Sequence, residues 1–125
     1  MILVDTSIWI DHLHKSDPEL VRLLDDSAVL SHPIVIGELA LGRINDRSQV
    51  LEALAGLSTL PTASHSELLQ FVEVNRLFGT GLSLVDAHLL ASTLLVPGTL
   101  LWTRDKRLRS EADKLSVGWT TPRGA

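Results

Sequence analysis

The sequence predicts a single α/β domain whose mainly parallel central sheet is flanked by helices. Three observations predict it. Short apolar runs of strand length, such as Ile2 to Val4, recur between segments that carry helix caps and helical spacing. That alternation continues along the whole chain with no break in composition and no internal repeat, the pattern of strand–helix–strand units. The chain has 125 residues, 45% of them hydrophobic, enough for one ordinary core, so the domain is expected to span 1–125.

Ile2 to Val4 is fully apolar and reads as a buried strand. Asp5, Thr6 and Ser7 follow as a polar elbow, each able to cap a helix whose apolar side is Ile8, Trp9, Ile10 and Leu13. Asp17 and Pro18 start a second helix, with the Asp as cap and the Pro at the first helical position. Leu20, Leu23 and Leu24 then face the core, and Ala28 to Leu30 predicts a second strand. Pro33 opens a helix that carries Glu38 and stops near Gly42. Its residues Ile34, Ile36, Leu39 and Leu41 leave little polar face, so it is expected to be well buried.

Arg47 to Leu57 reads as an amphipathic helix and Leu60-Pro61 as a brief extended piece. Ser64 and Glu67 form a capping-box pair for a helix running towards Phe78. Gly79, Thr80 and Gly81 make a loop that lacks the GxxxxGK of a phosphate-binding P-loop. Ser83 opens a helix with Leu84, Ala87, Leu90, Ala91 and Leu94 on its faces. After a turn at Pro97-Gly98, Thr99 to Thr103 is a strand. Asp105 stands at the next strand-to-helix junction, and Val117 to Thr120 is a candidate edge strand.

Composition narrows the function classes. With no cysteine there is no disulfide and no thiolate metal site. No apolar run approaches the ~18 residues that span a bilayer, and Asp5 interrupts the N-terminus too early for a signal peptide. A cytoplasmic protein without membrane contact is expected. The net charge of -4 argues against a general nucleic-acid coat protein. Yet Arg104, Lys106, Arg107, Arg109 and Lys114 supply five of the eleven Lys and Arg within one short stretch. That stretch reads either as a basic edge for a phosphate backbone or as a solvated helix face balanced by Glu111 and Asp113. His12 and His14 do not share a helix face, and no histidine is assigned as a ligand. Trp9 and Trp102 fall in apolar segments and read as core.

Four acids stand out because each ends or interrupts an apolar segment: Asp5 after MILV, Glu38 in PIVIGELALG, Asp86 in GTGLSLVDAHLLAS and Asp105 in GTLLWTRDKRL. Asp5 and Asp105 lie at strand carboxyl ends, where open α/β sheets bind ligands. Glu38 and Asp86 lie early in helices that start from the same edge. Carboxylates brought together repel and need a counter-charge, and without thiolates that charge is a hard divalent cation, Mg²⁺ or Mn²⁺. The structural alternatives are capping for Asp5 and Asp105, a capping box of Ser83 with Asp86, and an ion pair of Glu38 with Arg43.

Together, LVDTSIWID, the lone Glu of IGELALG, GLSLVDAHLLA and LWTRDKRL, in that order, resemble the PIN-domain superfamily, and within it the VapC toxins of toxin–antitoxin modules. The resemblance covers nearly the entire chain. It implies that Asp5, Glu38, Asp86 and Asp105 are catalytic and hold one or two Mg²⁺ or Mn²⁺ ions. It implies that Thr6, Ser83 and Thr103 are supporting polar residues. It implies an endoribonuclease that hydrolyses RNA, often tRNA or rRNA, by metal-activated water and so stops translation. Arg104, Lys106 and Arg107 are then expected phosphate contacts. The implied partners are the RNA substrate, a cognate VapB-type antitoxin and a second copy in a homodimer.

Three other readings stand beside it. VDTS offers an aspartyl nucleophile for phosphoryl transfer, although Ser7 occupies the position where a second Asp is needed. A non-catalytic, receiver-like or metal-stabilised binding module would use the same acids as caps. A PIN nuclease acting on another nucleic acid would keep the chemistry and change the substrate.

Overall fold

The computed structural model describes residues 1–121; the last four residues of the expected domain lie outside the described residues. Its elements are β1 (Ile2–Val4), α1 (Thr6–His14), α2 (Pro18–Asp25), β2 (Val29–Ser31), α3 (Pro33–Leu41), α4 (Arg47–Ala55), β3 (Ser58–Thr59), α5 (His65–Val74), α6 (Leu84–Leu95), β4 (Leu100–Trp102) and α7 (Lys106–Lys114). The four strands form one sheet in the order β3-β2-β1-β4, and every pairing is parallel. From β1 the chain builds outward first to β2 and β3, then returns to place β4 on the other side. The switch in direction therefore falls between β1 and β4. Ligands bind at the carboxyl ends of strands beside such a switch.

Parallel strands covered on both faces should be apolar throughout. Leu3, Val4 and Leu101 are indeed fully buried, packed with Ile8, Leu20, Val35, Leu39, Leu89, Leu90 and Leu108 from the surrounding helices. Each such side chain contributes about 1.5–3 kcal/mol by leaving water. Trp9 and Trp102 are core residues, and Trp119 tilts against Trp102 with ring centroids 4.7 Å apart. No helix among the described residues is long and apolar enough to cross a membrane.

Helix starts follow local chemistry. Asp17 accepts the Glu19 and Leu20 N–H groups ahead of Pro18, and Ser64 with Glu67 completes both halves of a capping box. Four expectations change. The second strand is shifted by one residue, because Ala28 N–H closes the end of α2 on Leu23 while Val29–Ser31 joins the sheet. The extended piece near Leu60 pairs as Ser58–Thr59. Val117 to Thr120 gives only an isolated bridge, Leu101 to Gly118. And α3 is not well buried: Val35 and Leu39 face the core, whereas Glu38 is exposed and Leu41 is 91% exposed. A helix only two turns long, touching the body along one stripe, leaves its other apolar residues outside.

Candidate active site

The carboxyl edge of β1 and β4 builds the site. Because Val4 pairs with Trp102, the next residues, Asp5 and Thr103, emerge side by side. The Asp5 N–H donates to the Trp102 carbonyl at 3.0 Å, the last bond of the β1–β4 edge before α1 begins. The Asp5 side chain is 6% exposed. Three donors meet its carboxylate: the Thr6 N–H at 2.7 Å, the Ser7 hydroxyl at 3.2 Å and the Thr103 hydroxyl at 2.6 Å. Both carboxylate oxygens therefore have donors. Asp5 is thus the N-cap of α1 and the floor of the site at once.

Two threonines tie the other segments to it. Thr103 donates to Asp5 and accepts the Asp105 N–H at 3.0 Å, so one hydroxyl links both aspartates. Asp105 caps α7 through one oxygen, which accepts the Leu108 N–H at 2.9 Å. Thr6 donates its hydroxyl to Glu38 Oε1 at 2.6 Å, which brings α3 to the end of β1. Asp86 follows Ser83, whose hydroxyl accepts the Asp86 N–H at 3.1 Å. Burial pushes the Asp86 carboxyl above its ordinary value, and the charges of Asp5 and Asp105 push it further; hydrogen bonding with Ser83 opposes both. Asp86 thus feels both Asp5 and Asp105, and Glu38 joins the same edge through Thr6; Asp5 is buried, Asp86 half-buried, and Glu38 and Asp105 are exposed.

Six of the other acids have basic partners, whereas Asp25, Asp46, Glu52, Glu67 and Glu73 form no ion pair among the described residues. Asp11 and Asp17 pair with Arg104, Glu19 and Asp26 with Arg22, Asp113 with Arg109, and Glu111 with Lys114. Among the described residues, no basic side chain forms an ion pair with Asp5, Glu38, Asp86 or Asp105, and the expected Glu38–Arg43 alternative is not formed. Among the described residues, no three acid or histidine side chains stand together as a group that could hold a metal ion by themselves. The donor set is all oxygen and open to solvent on one side. That suits a hard cation which retains part of its water shell.

The expected basic edge resolves unevenly. Arg104 reaches back to Asp11 at 2.7 Å and Asp17 at 3.3 Å, tying α1 and α2 to the start of α7. Lys106 and Arg107 are exposed and have no such pairs among the described residues. Sequence reasoning missed a buried polar link between the start of α3 and α6. His32 is fully buried as the N-cap of α3; its Nδ1 accepts the Ile34 N–H at 3.0 Å and its Nε2 lies 2.9 Å from Ser92 Oγ. Ser92 in turn donates to the Pro61 carbonyl at 2.7 Å, so Nε2 is the protonated nitrogen. The one local signal was a histidine placed directly before Pro33, where a helix cap belongs.

Comparison with known proteins agrees with this architecture. A crystal structure of PAE2754 from Pyrobaculum aerophilum shares the fold, with a TM-score of 0.58 at 18% identity, covering 91% of this chain and 90% of that one. Ribonuclease VapC32 of Mycobacterium tuberculosis, in strains CDC 1551 / Oshkosh and ATCC 25618 / H37Rv, is 54% identical over 117 residues, with 94% of each chain covered. A sequence-family model of the PIN domain matches residues 2–114, which takes in all four acids and the whole sheet. The chain belongs to the PIN-domain family.

Proposed function

We propose that this protein is a VapC-type toxin, a metal-dependent endoribonuclease whose active site is formed by Asp5, Glu38, Asp86 and Asp105. The observation that carries the reading is that Asp86 lies within electrostatic reach of Asp5 and Asp105 while Thr6 ties Glu38 to the same sheet edge, with no ion pair to any of the four among the described residues. Such a site is electrostatically unfinished without a cation. Mg²⁺ or Mn²⁺, when bound, supplies the missing positive charge and acidifies a water for in-line attack on phosphorus. Asp5 is the fixed ligand, because three hydrogen bonds hold it. Glu38, Asp86 and Asp105 complete the site from the rim. Thr6 and Thr103 orient Glu38 and Asp5, and Ser83 sets the first turn that carries Asp86. No Ser, Cys or His nucleophile is required.

The same reading supplies partners. RNA, such as tRNA or rRNA, is the substrate, and one PIN domain occupies 1–125 in a cytoplasmic protein. A VapB-type antitoxin seats an apolar segment in the groove of about 290 Å³ between α1 and the end of α3, lined by Ile10, Leu13, Leu39 and Ile44 and bordered by Glu38. The exposed Val74, Phe78 and Leu84 supply apolar surface for a homodimer.

Incubating total cellular RNA with the purified protein tests the reading. Discrete fragments are expected with Mg²⁺ or Mn²⁺, none with EDTA, and at least about 100-fold slower cleavage by a folded Asp5→Asn variant. Unchanged cleavage by that variant would remove Asp5 from the mechanism.

A further inference from the structure

The Gly79-Thr80-Gly81 loop is left unexplained by the site as described. Gly81 has φ +86°, a conformation that side chains rarely adopt, and the side chain of Arg107 lies directly against it. A Cβ at Gly81 would stand 3.0 Å from Arg107 Cδ and Nε and 3.2 Å from Cζ. The Arg107 side chain therefore lies close over the glycine, where a Cβ would make it shift. Thr80 steadies the loop by donating its hydroxyl to the Leu77 carbonyl at 2.6 Å. Gly81 lies two residues before Ser83, which caps the Asp86 helix, and Arg107 lies two residues after Asp105. One cation thus spans the gap between two acid-bearing helix starts and forms no ion pair with either acid.

The other bases of the stretch, Lys106 excepted, are occupied. Arg104 binds Asp11 and Asp17, Arg109 binds Asp113, and Lys114 binds Glu111. Arg107 instead lies against the Gly81 backbone and forms no ion pair among the described residues, so its guanidinium is not committed to a neighbouring acid. A planar guanidinium fixed beside a carboxylate site fits the non-bridging oxygens of a phosphodiester, which it can grip with two parallel hydrogen bonds. We propose that Arg107, seated on Gly81, is the residue that positions the RNA backbone at the acids, and that Gly81 is there to seat it. This rests on the nuclease reading.

The test measures binding of fluorescein-labelled bulk tRNA to the non-cleaving Asp5→Asn protein across a range of salt, and cleavage in the otherwise native protein. Arg107→Ala is expected to weaken binding about tenfold and to reduce the slope of log affinity against log salt by roughly 0.7–0.9, the value of one lost phosphate contact. Arg107→Lys should recover most of that slope but not the cleavage rate, because a lysine does not reproduce the flat, two-pronged grip. Gly81→Ala should weaken binding and cleavage with no change in charge. Arg22→Gln, an exposed base on α2, controls for loss of charge alone. Circular dichroism checks the fold of each variant. If Gly81→Ala fails to fold, the two Arg107 variants decide the matter, since that side chain is exposed. An unaltered salt slope in Arg107→Ala overturns the proposal while leaving the nuclease reading intact. Failure of the parent protein both to bind and to cleave RNA overturns the two together.

Discussion

At the scale of single residues, Asp86 reports most directly on the state of the site. Its carboxyl is pushed up by burial and by Asp5 and Asp105. A carboxyl whose folded value is raised opposes folding when ionised, and that opposition fades as pH falls through the folded value. Without divalent metal at neutral pH, Asp86→Asn is therefore expected to raise the melting temperature slightly, by about 2 °C for a domain of this size. The gain should shrink on acidification. A clear fall in melting temperature at neutral pH would instead mean that the side chain mainly serves the first turn of α6. The four acids could be singled out in the sequence because each ends or interrupts an apolar run, Asp5 directly after β1 and Asp105 three residues after β4. The commitment of Arg104 was not legible. Its partner Asp17 lies 87 residues away in the chain, so nothing local marks the pairing.

At the scale of elements, the legible features were those set by short-range chemistry. Asp17-Pro18, the Ser64–Glu67 box and Ser83 all start helices where the sequence places them. The burial of α3 was misjudged because an almost wholly apolar helix has no period from which to read its inward face; Leu41 is 91% exposed while Leu39 is buried. The link from α3 to α6 through His32 and Ser92, 60 residues apart, was likewise invisible. It has a consequence for pH. Burial first, and the neighbouring His88 second, lower His32 from 6.5 to about 4. The unfolded chain therefore takes up the proton first, so stability is intact above the ordinary value and drains away as pH falls from 6.5 towards 4. The loss approaches about 3 kcal/mol at the lower end. Protonation also sets an Nδ1–H against the Ile34 N–H that Nδ1 now accepts. Urea unfolding at several pH values checks this. His32→Asn retains a capping oxygen and should flatten the acid slope; the same slope in both proteins would assign it to other groups.

At the scale of the whole molecule, the strand order β3-β2-β1-β4 explains why distant segments of the chain come to one sheet edge. The switch between β1 and β4 opens the sheet edge, Asp5 and Asp105 leave it on adjacent strands, and α3 and α6 deliver Glu38 and Asp86 to the same opening. The alternation of strands and helices made that topology class readable in advance. The Gly81–Arg107 contact was not readable, because it depends on the packing of α7 against the loop before α6. The central claim is that these four acids form one divalent-ion site. It is tested most directly by titrating Mn²⁺ into the purified protein and following loss of the free-ion resonance, for the native chain and for Asp5→Asn, Glu38→Gln, Asp86→Asn and Asp105→Asn. The account expects saturable binding of one or two ions per chain, about tenfold or more weaker in Asp5→Asn and weakened in each of the others. Binding that is absent in the native chain, or untouched by all four substitutions, would contradict it.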